Sequence, residues 1–132
     1  MICKKIKELW PKAKKASKDE ELLIALGRIG DSYLRQKLED KLIDYWVGLK
    51  SLFLPQDTQR DMTEAVKVGV SFYLGRSTKE RRKIQNEIHD SHTMRSKIMH
   101  GKKGVGQDKL LEMVNKTQNY LKAALVKRIQ EL

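Results

Sequence analysis

Cysteine is almost absent from this chain: Cys3 is the only one in 132 residues. That excludes an intramolecular disulfide and any multi-cysteine zinc motif, and it fits a reducing compartment. No stretch approaches the ~20 consecutive apolar residues of a membrane span. Met1 to Ser17 is rich in lysine and has no apolar run of the signal-peptide kind, so the expectation is a soluble, cytoplasmic protein with no membrane partner. Aromatics make up only 6% of the residues and mark no aromatic-rich strand surface of the kind single-stranded RNA binders use, so Trp10 and Trp46 read as core or interface anchors. Two-residue hydrophobic alternation and internal repeats are also missing, which leaves neither a strand candidate nor a solenoid.

Acidic residues are the scarcer charge. Lys and Arg number 28 against 17 Asp and Glu, for a formal net charge of +11. A surface of that sign attracts phosphate backbones or anionic lipid through a salt-screened field, without naming a partner. The length fits one domain around one core. Within it, residues 1–17 form a basic arm or short helix, with six lysines against Glu8 and with Pro11 as an interruption. Ile2, Ile6, Leu9 and Trp10 would dock that arm on the bundle or belong to a seam with another domain. Residues 18–132 form the helical domain.

Apolar spacing of three and four residues predicts the helices of this domain. Leu22, Leu26, Ile29 and Tyr33 mark the first, from Asp19, and Gly27 and Gly30 inside it suggest close approach of a neighbour. Leu38, Leu42, Tyr45, Leu49 and Leu52, widened by Trp46 and Phe53, mark a central helix that closes at Pro55. A third runs from about Asp57 to Leu74, on Met62, Ala65, Val66, Val70 and Tyr73. Ser77-Thr78-Lys79-Glu80 reads as a capping box, with the serine hydroxyl accepting from the Glu80 amide and the carboxylate reaching back to the Ser77 amide. The fourth helix that it opens runs toward His100 and stops at Gly101. A fifth covers roughly Asp108 to Gln130, with Leu111, Val114, Leu121, Leu125 and Leu132 on its buried side. The expected fold is all-α, an antiparallel bundle of about five helices.

On the fourth helix Ile84, Ile88, Ser91, Arg95 and Ile98 share one face. A guanidinium on an apolar stripe needs a partner, a pocket or a subunit contact, because an unpaired buried charge costs several kcal/mol. His100 follows near the helix end, about 140° around from Arg95, so the two converge more easily if two copies of the helix meet across a twofold axis. Together they suit RNA phosphodiester transfer with the neighbouring 2′-hydroxyl as nucleophile and no cofactor or metal. Histidine moves the proton, and arginine holds the charge that builds on the phosphorus oxygens. Ser96 would hydrogen-bond the phosphate or support the geometry.

Between Lys79 and Gly106 eight cations oppose three carboxylates, a basic rim in which Arg82, Lys97, Lys102 and Lys103, with His92, are the candidate RNA contacts. The same charges also suit a solvated helix face with cations near its negative end. A zinc site from His89, His92 and His100 lacks the usual carboxylate or cysteine, so no metal ligand is assigned.

The segment Arg95-Ser96-Lys97-Ile98-Met99-His100-Gly101 resembles the signature of the HEPN family, in particular the RSKIVHG form of its ApeA-like branch. The run from Leu38 to Phe53 resembles the helix upstream of that signature, and the likeness extends roughly from Leu22 to Leu125. The resemblance implies an all-helical bundle, a homodimer with the motifs at its interface, and metal-independent endoribonuclease activity in toxin, defence or RNA-processing settings. It further implies a partner such as an antitoxin or a larger defence protein. Two positions depart from the branch: Lys50 stands where glutamate is usual, and His92 where a tyrosine often precedes the signature. Both keep open a non-catalytic RNA-binding or protein-interaction domain.

Overall fold

The computed structural model describes residues 19–54, 62–101 and 106–132, so the basic arm over residues 1–17 and Lys102 and Lys103 lie outside the described residues. Five helices and no strand make up the described chain: α1 (Glu20–Ser32), α2 (Leu38–Phe53), α3 (Met62–Leu74), α4 (Thr78–Met99) and α5 (Gln107–Gln130). None is long and apolar enough to cross a membrane.

Local chemistry sets several of the helix ends. Asp19 caps α1 by accepting from the Leu22 amide at 3.2 Å, and Glu20 and Glu21 follow in the first turn, where the helix dipole favours negative charge. Ser77 caps α4 by accepting from the Glu80 amide at 3.1 Å. The return bond differs from the expected capping box, because the Glu80 carboxylate accepts from the Arg76 amide at 2.7 Å instead of that of Ser77. At the other end of α4, Gly101 takes φ +66° and its amide bonds the Ile98 carbonyl. That left-handed turn is open to glycine at no steric cost, so the helix stops where the signature ends.

Helix directions follow from side-chain pairs. Along α2 and α5 the partners Glu39 and Gln107, Tyr45 and Gln118, and Leu52 and Arg128 rise together, so these helices run parallel. Between α4 and α5 the order reverses, with Ser91 beside Thr117 and Glu87 beside Tyr120. Between α3 and α4 it reverses as well, with Thr63 beside His92 and Ser71 beside Gln85. Thus α1 and α4 point one way and α2, α3 and α5 the other, and α2 and α5 at the centre each pack on all the other helices.

The core gathers Leu22, Leu42, Tyr45, Trp46, Leu49, Val66, Val70, Ile88, Leu110 and Leu121 with their neighbours. Each large apolar side chain moved out of water is worth about 1.5–3 kcal/mol. The buried stripes are rotated from those the sequence suggests in two places. Tyr33 is exposed while Ser32 is buried, and on α5 Leu111 and Leu132 are exposed while Leu110, Met113 and Ile129 take the inner positions. A buried carboxylate, Asp44, closes the α1–α2 hairpin by accepting from Arg28 at 3.2 Å and from Arg35 at 3.0 Å.

The close helix approach expected at Gly27 and Gly30 is found elsewhere: both of those glycines face open space. Gly48 in α2 makes it, because a Cβ there would lie 2.8 Å from the buried Leu121 side chain of α5. Gly48→Ala should therefore cost about 1–3 kcal/mol through overpacking. Gly27→Ala should instead add up to about 1 kcal/mol through helix propensity. Urea unfolding of the two variants should move the midpoint in opposite directions.

Candidate functional site

The site is built on the last turns of α4, and α2, α3 and α5 determine which way those turns face. At its heart is a buried polar chain. The Trp46 indole N–H donates to Ser91 Oγ at 2.9 Å, and Ser91 Oγ lies 2.6 Å from Thr117 Oγ1. Thr117 in turn donates to the Met113 carbonyl at 2.7 Å. Since the threonine proton is spent on that carbonyl, the serine proton goes to Thr117, and every group in the chain is satisfied. Trp46 belongs to α2, Ser91 to α4 and Thr117 to α5, so three helices share one rotational setting.

His92 comes next after Ser91. Its ring meets the Trp46 ring edge-on, with centroids 5.2 Å apart, and its Nε2 lies 2.9 Å from Thr63 Oγ1 of α3. His92, Thr93, Ser96, Lys97 and His100 line one open depression of about 250 Å³. Four of the sequence-derived candidates, His92, Ser96, Lys97 and His100, are therefore brought together. His100 is exposed, at the C-cap position of α4.

Arg95 stands on the adjoining stripe, one turn beyond Ser91 and turned toward α2. It is half-buried, and its Nε is buried without a hydrogen-bond partner. Lys50 on α2 lies close enough for the two charges to act on each other. Burial, and after it the Arg95 charge, lowers the pKa of the Lys50 ammonium below the usual lysine value. Among the described residues no carboxylate pairs with either cation. Arg95 is not among the side chains that line the His100 depression, so within one protomer the two key residues serve adjacent faces.

Arg82 is far from both, thirteen residues before Arg95 and about 20 Å along the helix. It lines a separate depression of about 570 Å³ with Thr78, Lys79, Lys83, Asn86 and Glu87. His89 is exposed and is not among the residues that line the His100 depression. Among the described residues no three His, Cys, Asp or Glu side chains gather as a metal site.

Two features of the site were only partly visible beforehand. Lys50 registered as a departure from a pattern, but its closeness to Arg95 depends on the packing of α2 against α4. Thr63 gave no signal, since a threonine near a helix start is ordinary. Comparisons with protein-family models, curated proteins and solved structures found no match to this chain.

Ser91→Ala should strand the Trp46 N–H and remove a partner from Thr117, at a cost of about 1–3 kcal/mol. Because the hydroxyl also sets the rotation of α4, near-ultraviolet circular dichroism of the buried tryptophan should change along with the unfolding midpoint. A variant with wild-type stability and spectrum would show that the chain does not hold the helix.

Proposed function

We propose that this chain is a metal-independent endoribonuclease of the HEPN type, acting on RNA as a cytoplasmic homodimer in a toxin or defence setting. The observation that carries this reading is Arg95, a half-buried guanidinium with no carboxylate partner among the described residues, five residues before an exposed imidazole on the same helix end. A cation held in such surroundings suits an anion supplied from outside, and charge-assisted bonds from arginine to phosphate are strong and geometrically selective.

The chemistry runs on groups already in the RNA and the protein. A His100 imidazole takes the proton from a ribose 2′-hydroxyl, and that oxygen attacks the adjacent phosphorus. Arg95 stabilises the charge gathering on the non-bridging oxygens, and the bond to the 5′-oxygen breaks as it receives a proton from an imidazolium. The products are a 2′,3′-cyclic phosphate and a 5′-hydroxyl. Since Arg95 and His100 serve adjacent faces of one protomer, the reading relies on a second copy of α4 across a twofold axis, which would also supply a second imidazole. Ser96 and Lys97 beside His100 suit phosphate binding, and Lys102, Lys103 and Arg82 extend the positive track in the sequence.

One observation favours a second reading, a non-catalytic RNA-binding domain. The charge that acts with Arg95 is the ammonium of Lys50, and among the described residues no carboxylate restrains or orients the guanidinium.

Purified protein incubated with RNA in excess chelator should release fragments with 2′,3′-cyclic phosphate ends. His100→Ala should slow release by at least about 100-fold, and Arg95→Met by about 100- to 1,000-fold. Cleavage by His100→Ala at the wild-type rate would remove the imidazole from the mechanism. Salt-dependent binding of several RNAs with no cleavage would establish the second reading.

A further inference from the structure

Lys50 and Arg95 are two partly buried cations whose charges act on each other. Several other cations meet carboxylates: Arg28 and Arg35 share Asp44, Arg128 bridges Asp19 and Glu21, and Lys116 reaches Glu87 and Glu112. Arg81 and Lys122 lie over the rings of Phe72 and Tyr33. Lys50 and Arg95 are both half-buried, with no such compensation among the described residues.

Their convergence follows from the backbone. Trp46 and Ser91 fasten α2 to α4 by a 2.9 Å hydrogen bond. Lys50 comes one turn after Trp46 and Arg95 one turn after Ser91, and the two helices are antiparallel, so the residues leave that contact in opposite directions along the axis. Helical side chains lean back toward the N-terminus of their own helix. Both long side chains therefore lean toward the shared contact and toward each other. Two cations converging this way, with ~12 Å between their backbones along the axis, repel each other unless an anion screens them.

We infer that Lys50 and Arg95 together bind one phosphate group, with Lys50 as an additional RNA-binding residue contributed by α2. The inference rests on the RNA reading above for the source of the phosphate. The pairing of two cations requires only an oxyanion of that chemistry. In this arrangement Lys50 neutralises part of the anion while the planar guanidinium orients it. A phosphodiester seated there lies on the stripe next to the Ser96, Lys97 and His100 depression.

The test uses the full chain with Lys50→Met and Lys50→Glu, and Lys37→Met as a control for the loss of one cation. Lys37 is exposed, at the start of α2, about 20 Å from Lys50 along the helix. Inorganic phosphate, against chloride at equal ionic strength, should raise the melting temperature of wild type and Lys37→Met by a few degrees. It should leave both Lys50 variants unmoved. Without phosphate, Lys50→Glu should melt above wild type, because the new carboxylate pairs with Arg95. For an uncleavable 2′-O-methyl oligonucleotide, Lys50→Met should weaken affinity about tenfold and flatten the log–log salt dependence by about 0.7.

Equal phosphate stabilisation in wild type and Lys50→Glu, or none in wild type, would overturn the site. Affinity for the oligonucleotide that falls as much in Lys37→Met as in Lys50→Met would do the same, leaving only a diffuse field. The nuclease reading fails separately: phosphate stabilisation lost in the Lys50 variants, with no cleavage by wild type, keeps this site and removes the catalysis.

Discussion

The hydrogen-bond chain from Trp46 through Ser91 to Thr117 is the constraint on which the candidate-site end of this bundle depends. Apolar packing alone tolerates a helix that slides or turns by part of a residue, because dispersion and burial have little direction. A buried indole N–H and two hydroxyls do not, since each unmet partner costs its full desolvation. The chain therefore sets the rotation of α4 against α2 and α5 together. What α4 shows one turn later, Arg95 on one side and Ser96 and His100 on the next, is inherited from that setting. The His92 contacts to Trp46 and Thr63 extend the same clamp to α3.

Charge is handled in two ways in the molecule. Near the α1–α2 hairpin and the far ends of α1 and α5, carboxylates take up the arginines and tie segments distant in sequence, as Arg128 does with Asp19 and Glu21. Around Arg95 no such compensation is found among the described residues, and a lysine acts on it instead. A protein with 28 basic residues could have left all of them in water, where lysine and arginine lose little. Holding two of them half out of water and side by side costs stability. A bound anion would offset such a cost, which is the link between the proposed Lys50–Arg95 site and the His100 depression beside it.

Much of this was legible in the residues. The helix count, the closing of α2 before Pro55, the Ser77 cap and the glycine stop after His100 all follow from local rules that act within a turn or two. The placement of an arginine on the apolar stripe of α4 was also readable, and its half-burial agrees. Less legible were the edges of the stripes. Leu111 and Leu132 have the composition of core residues but sit outside it, because the inner face of α5 is set by where α2 and α4 lie. Glycines were misleading in the same way: those in α1 face open space, whereas Gly48 lies in the middle of a helix where only the opposing Leu121 reveals its use.

By itself the sequence determined an all-helical domain, its helix ends, its positive charge and the grouping of Arg95, Ser96 and His100 on one helix end, since caps, periodicity and charge act over short separations along the chain. Tertiary structure decided the rest: the shared direction of α2, α3 and α5, the partnership of Trp46, Ser91 and Thr117, the nearness of Lys50 to Arg95, and the division of Arg95 and His100 between neighbouring faces. These depend on how whole helices rotate and cross, and that is resolved only when buried polar groups across the core must all find partners at once.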